Sequence, residues 1–490
     1  MNHVNSLQAT RTASRRPAPD QFRCVRPLLL CVVFTSQIAH AQMAFGTVNG
    51  KVQSALSVTP PQRVDSDTAH IQAGHANAQS GRGKDFDPPS FVGPRVPVGP
   101  QKGLSCPFSA VLLHPTDSVN TIVAHHPAGT TYCFAPGTYT SLQITPKSGD
   151  RYVGQPGATL DGGGTAIHAF LGGGDNVMIQ NLVIQNYNAP IQDAPVSNCA
   201  SQSSNWIIAN NEIARNGNAG VLVCGSGTRV VANYLHDNVE EGYACTGGRG
   251  FGGSNISITD NEIAHNNPTG AVDPQFEAGG GKCTGTTNLV TSYNYVHDNH
   301  GPGIWTDIDN QTTDVEFNRV ENNWSGGIFH EISWDAVIAH NLVHNNANAL
   351  YCTGWLWCGE IQIAASGGVN EKTVEIFNNA ITSAPPGNGL VLIQQERGTG
   401  LYGTHLVQNV HFHENCVDMS AGGNTGGVTD NGDNGLFSTQ GNTFNYDEYT
   451  SYVASAFWWN NSTGNLPWFQ SQGQELNGEQ NATHCLSIPL

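Results

Sequence analysis

Residues 301–346 read GPGIWTDIDNQTTDVEFNRVENNWSGGIFHEISWDAVIAHNLVHNN, and one phrase recurs within them. FNRVENNWSGGIFHEIS repeats YNYVHDNHGPGIWTDID, and AHNLVHNN begins the phrase again. Each phrase is a short alternating strand, an Asn, one residue, an aliphatic residue, a polar turn, a Gly, a second short strand and a carboxylate. Aligning the glycines places Ile304 with Ile328, Trp305 with Phe329, Thr306 with His330, and Asp307 with Glu331. Two acids therefore occupy the same phase of consecutive repeats.

Working outward, an Asn-x-aliphatic unit follows a short strand at Asn181, Asn211, Asn233, Asn261, Asn294, Asn318, Asn341 and Asn379, at intervals of 30, 22, 28, 33, 24, 23 and 38 residues. The shortest intervals suit one coil of three short strands and three turns, and the longer ones are the same coil with a loop inserted. Alternation in Ile256-Ser257-Ile258 and Val315-Glu316-Phe317 puts successive side chains on opposite faces. The repeated Asn is expected at a turn, tolerating a left-handed backbone, with its amide bonded to neighbouring coils.

These degenerate coils, such as SNWIIANNEIARNG, SNISITDNEIAHNN and WDAVIAHNLVHNN, resemble the right-handed parallel β-helix superfamily, the pectate-lyase-like fold. The resemblance covers about residues 105–450 and implies an all-β solenoid. It implies no particular activity, because that superfamily includes lyases, hydrolases, epimerases, phage spikes and noncatalytic adhesins. No catalytic motif of a specific family matches.

The flanks differ in character. Arg15, Arg16, Arg23 and Arg26 precede the apolar run 28–34, and Ala39-His40-Ala41 supplies a small-x-small cleavage site, so residues 1–41 are expected to be a signal peptide. Residues 42–104 are punctuated by prolines and read as a flexible arm or linker. Residues 451–490, with Phe457, Trp458, Trp459, Trp468 and Phe469, read as a C-terminal cap, with a carbohydrate-stacking patch as the alternative. No later stretch is long and apolar enough to span a bilayer.

Without residues 1–41 the chain carries 15 basic and 37 acidic residues, a formal charge of −22. That balance argues against nucleic acid and anionic membrane as partners. The ten cysteines that remain read as disulfides of a secreted or periplasmic protein; neighbour pairing gives Cys106–Cys133, Cys199–Cys224, Cys245–Cys283, Cys352–Cys358 and Cys416–Cys485.

Strands of adjacent coils lie about 4.8 Å apart, so Asp307 and Glu331 are expected to stack. Asp309, two residues on, is expected on the same side. Asp273 or Glu277 in the preceding coil and Glu360 in the following one extend the expected acid column. Stacked carboxylates persist when one holds a proton, when a cation lies between them, or when water screens them. The first case suits glycoside hydrolysis, with one acid protonating the leaving oxygen and another carboxylate acting as base or nucleophile; it requires no cofactor. The second is a Ca²⁺ site, and the third is a solvated acidic strip. Trp305, Trp324, Trp334, Trp355 and Trp357 lie within the same few coils; aromatic faces beside carboxylates suit sugar binding, while for any single Trp a core or turn-packing role is the first expectation. His330 is expected on the opposite strand face from Glu331. A lyase or C5 epimerase needs a base and a cation to neutralise a uronate, and Lys282 beside the acids offers one. The expected partner is a polysaccharide and the expected activity a glycoside hydrolase, with a lyase, an epimerase or a noncatalytic glycan binder as alternatives. Asp307, Glu331, Asp309, Glu360 and Asp273 are the candidate catalytic residues. Trp305, Trp324, Trp334, Glu277, Lys282 and His330 are the candidate substrate-binding residues.

Overall fold

The structure, a computed structural model, describes residues 86–480 apart from 247–252, 349, 353, 355, 431 and 452. The chain divides into two units, Met1–Gln62 and Arg63–Leu490; the first lies wholly outside the described residues, as does the expected signal peptide.

Short aliphatic triplets separated by polar corners cannot pack as helices, and each coil alone buries almost nothing; stacking the coils closes a continuous core. Three sheets of 13, 13 and 12 strands result, each collecting every third strand of the periodic region. The first sheet runs from Val111–Leu113 to Thr443–Asn445 and the second from Gly137–Thr140 to Glu479–Gln480. The third runs from Phe170–Leu171 to Ser462–Gly464. Neighbouring strands are parallel except the last pair of the third sheet, Phe457–Trp459 with Ser462–Gly464. The fold is a right-handed parallel β-helix, the hand that parallel crossovers take almost without exception. The glycine-aligned register holds: Ile304 pairs Ile328, Trp305 pairs Phe329 and Thr306 pairs His330.

The repeated asparagines differ from expectation in one respect. From Asn211 onward the left-handed residue is the one before each of them: Asn210, Ala232, Asp260, Tyr293, Phe317, His340 and Asn378 all have positive φ. That corner turns the chain, so the following Asn points inward. There its Oδ1 accepts from the previous coil's Asn and its Nδ2 donates to backbone carbonyls. Asn294 to Asn318 (3.0 Å) and Asn318 to Asn341 (3.0 Å) are two rungs. A second buried ladder climbs the next corner through Asn216, Asn238, Asn266, Asn299, Asn323 and Asn346. These amides pair corner groups that would otherwise be orphaned.

Four of the expected disulfides form: Cys106–Cys133, Cys199–Cys224, Cys245–Cys283 and Cys352–Cys358. Cys485 lies outside the described residues.

Two segments correct the reading of the flanks. Part of the expected flexible arm is a strap: Asp87 N–H bonds Asn378, Gly93 N–H bonds Phe317, Gly99 N–H bonds Ala232 and Gln101 N–H bonds Asn181. Arg95 clamps Asp260 through Nε (2.9 Å) and Nη2 (2.7 Å) and lies 3.6 Å over the Tyr293 ring. Prolines suit such a strap, because it bonds to corners rather than joining a sheet. At the other end, coil pairing continues past residue 450, and Phe457 and Trp459 enter the core together with Phe469 of the short helix Leu466–Ser471. These three side chains offer no face to a sugar, while Trp458 and Trp468 stay half-buried.

Candidate active site

The third sheet carries the site because its inward and outward columns differ in kind. Ile304, Ile328, Ile361 and Leu390 fill the inner column. Outward, Ala244, Lys282, Trp305, Phe329, Gln362 and Val391 lie on one line, coil after coil. Two residues further along the strands lie Thr246, Thr284 and Asp307, then Glu331, Ala364 and Ile393. Inserted loops wall this face into a cleft of about 540 Å³ lined by Gln192, Phe276, Glu277, Lys282, Trp305, Asp307, Glu331 and Arg397. A neighbouring hollow of about 400 Å³ shares Trp305, Glu331 and Arg397 and adds Phe329, Tyr351, Trp357 and Gln362.

Charges alternate along the floor. Lys282 Nζ lies 2.9 Å from Asp307 Oδ2 and 3.4 Å from Glu277 Oε2, donates to the Phe276 carbonyl at 2.7 Å, and rests 3.9 Å over the Trp305 ring. Burial pulls the Lys282 ammonium down, but Asp307 and Glu277 outweigh it and raise it above the ordinary lysine value. Glu331 is ion-paired with Arg397 Nη1. Its carboxyl is nevertheless raised, first by burial and then by the Asp307 charge, against the pull of Arg397 and Lys282. Trp305 and Phe329 stack at 5.4 Å and continue into an apolar floor of Leu356, Val391, Ile393 and Val428. The cleft is acidic and basic at one end and aromatic at the other.

Several sequence candidates do not belong to it. Glu360 is fully buried inside the coil, accepting from Asn346 N–H (3.0 Å) and Nδ2 (2.6 Å), so it ends the second Asn ladder; Ala364 holds the acid-column position beside Glu331. Asp309 leaves the strand face because Ile308 and Asp309 both have positive φ and turn the corner. It accepts from Trp334 Nε1 at 3.1 Å and lies 3.1 Å from His405 Nε2. Trp334 is therefore buried as an anchor and offers no face to a sugar. Asp273 is exposed and caps its own loop through Gln275 N–H. His330 faces the core, its Nδ1 2.7 Å from Thr306 Oγ1, and burial lowers its pKa to about 3. Trp324 sits on the corner, stacked 3.5 Å on His300. Trp355 lies outside the described residues. Asp307, Glu331, Lys282, Glu277 and Trp305 remain together.

The sequence pattern missed Arg397 as a site residue, and it missed Glu240 and Glu241. Burial raises Glu240 to about 8 and Glu241 well above its ordinary value, with Glu277 adding to both and Lys282 opposing. The signal for the glutamates was a pair of acids just before Gly242, at the start of the third-sheet strand Glu241–Thr246. Arg397 had none, because it rides a nonperiodic insert that His405 and Asp309 pin down, His405 Nδ1 lying 3.3 Å from the Arg397 carbonyl. Among the described residues, a three-group cluster that could hold a metal occurs at His265, His297 and Asp298, away from the acid pair. At Asp307 and Glu331, Lys282 and Arg397 already pair with the carboxylates that calcium would need.

A family model described as "Right handed beta helix region" matches residues 201–363. Similar solved structures include the A-module of the Azotobacter vinelandii mannuronan C-5 epimerase, 13% identical with TM-score 0.43, covering 59% of this chain and 87% of that one. The complex of XylC with xylose is 11% identical with TM-score 0.46, covering 68% and 80%. The catalytic domain of a GH87 alpha-1,3-glucanase in complex with tetrasaccharides is 12% identical with TM-score 0.41, covering 79% and 70%. No curated protein matches the sequence. None of these likenesses assigns an activity to this chain.

Proposed function

We propose that this protein is an exported glycoside hydrolase that cleaves a neutral or weakly charged polysaccharide in the third-sheet cleft. The observation that carries the reading is the acid pair: Asp307 and Glu331 end adjacent strands and both are buried in the cleft floor, the Glu331 carboxyl raised by burial and the Asp307 charge while Asp307 is ion-paired with Lys282. Such a pair divides the labour of glycoside cleavage. Glu331 donates its proton to the glycosidic oxygen as the C–O bond breaks. Asp307 attacks C1, and water later releases the sugar with Glu331 as base. Coil spacing of about 4.8 Å falls near the separation of about 5 Å found in retaining enzymes. Tyr351 and Trp357, half-buried in the adjoining hollow, present rings for pyranose stacking. The four disulfides support an oxidising compartment.

A second reading, a lyase or C5 epimerase acting on a uronate, is favoured by one observation. Lys282 and Arg397 place two cations beside the acids, as neutralising a uronate carboxylate requires. A panel of plant, algal and microbial polysaccharides separates the readings when reducing ends and ultraviolet absorbance are followed together. New reducing ends without absorbance, retained after chelation and lost in Asp307→Asn and Glu331→Gln, are expected. Absorbing products would replace the hydrolase with a lyase; inverted uronate without cleavage would point to an epimerase. Binding without any product would leave a glycan-binding protein.

A further inference from the structure

The corner between the second and third sheets carries a cluster that the cleft does not use. His297 ends the strand Tyr295–His297 and Asp298 turns the corner at φ 54°, while in the preceding coil His265 turns the same corner at φ 56°. One ligand atom from each of His265, His297 and Asp298 lies within 4.8 Å of the others. The rings of His265 and His297 meet edge-on at 5.6 Å. His297 is only 8% exposed and is fixed on three sides. The Tyr295 ring stacks on it at 4.0 Å, Asp298 Oδ2 lies 2.8 Å from Nδ1, and Glu262 Oε1 lies 3.5 Å from Nε2.

We propose that His265, His297 and Asp298 bind a first-row divalent metal of the imidazole-favouring class, zinc above all, that staples two consecutive coils. The donor set is two imidazoles and one carboxylate, which suits zinc and disfavours calcium. His297 Nδ1 and Asp298 now share a proton; replacing that proton with the ion keeps both groups engaged. Glu262 then serves as the outer carboxylate that holds Nε2–H and aims Nδ1 at the metal. His265 is exposed and swings to close the site, leaving a fourth position for water.

An internal control sits one coil further back. His236 and Asp237 repeat the same dyad, with His236 Nδ1 2.7 Å from Asp237 and Nε2 3.4 Å from Glu212. Among the described residues, their surroundings complete no three-ligand cluster of the kind formed around His297. The dyad alone is a corner ion pair, and His265 is what converts the later copy into a site.

The test uses the full chain, stripped with chelator and titrated with zinc alone above neutral pH, by calorimetry and by dialysis with elemental analysis. One zinc per chain is expected, together with a rise in melting temperature that calcium does not reproduce. His265→Ala should abolish both, Glu262→Gln should weaken affinity by about 10- to 100-fold, and His236→Ala should change neither. No stoichiometric zinc, zinc bound equally by His265→Ala, or equal loss in His236→Ala would each overturn the site. None of these readouts depends on catalysis, so the result is separable from the proposed hydrolase.

Discussion

Glu360→Gln separates a catalytic acid from a structural one. Glu360 is fully buried, and that burial raises its carboxyl from the ordinary 4.5 to about 8, against the pull of its hydrogen bonds from Asn346. Below pH 4.5 both folded and unfolded chains hold the proton. Between pH 4.5 and about 8 the unfolded chain has released it while the folded chain keeps it, so stability falls as pH rises through this window; above it the penalty is constant. At about pH 7 the cost spans about two and a half units at about 1.4 kcal/mol each, or about 3 to 4 kcal/mol; at about pH 5 it is under about 1 kcal/mol. Glutamine never ionises, and one amide oxygen can take both Asn346 donors, as each ladder Asn does for the one before it. Denaturant unfolding of Glu360→Gln should therefore match the wild type at about pH 5 and exceed it by about 3 to 4 kcal/mol at about pH 7, with activity kept. Equal destabilisation at both pH values, or a folded variant without activity, would refute the ladder role.

Two further outcomes follow from the anchors. Arg95→Ala removes the clamp on Asp260, which is 2% exposed, and should cost about 3 kcal/mol in denaturant unfolding while leaving the cleft's activity unchanged; no loss would mean the strap contributes nothing. His405→Ala frees the insert carrying Arg397, so Glu331 loses part of the cation that holds its carboxyl down. The alkaline limb of the pH–rate profile should move to higher pH and kcat should fall about tenfold with the fold intact; an unshifted limb would deny His405 a positioning role.

The acid pair was legible because Asp307 and Glu331 lie inside one repeating phrase, where a glycine alignment is also a spatial alignment. The same logic failed at Glu360, where an insert precedes the strand: it aligns with the inward-facing ladder, four residues before the equivalent acid position at Ala364. It failed at Asp309 because strand alternation stops at a left-handed corner. Trp334 looked like a sugar platform by composition and proved to be a buried donor to Asp309. Nothing local marked Arg397, which lies 66 residues from Glu331 in the chain.

The sequence by itself determined the coil, and its register where consecutive repeats carry no insert, because both depend on neighbours one repeat away; pairing neighbouring cysteines named four bridges that only the fold establishes. Tertiary structure decided which acids share a cleft and which are buried in ladders. It also decided which side chains from remote inserts and the strap close on them. Those contacts depend on where nonperiodic loops fold back onto the sheet, and no repeat length encodes that return.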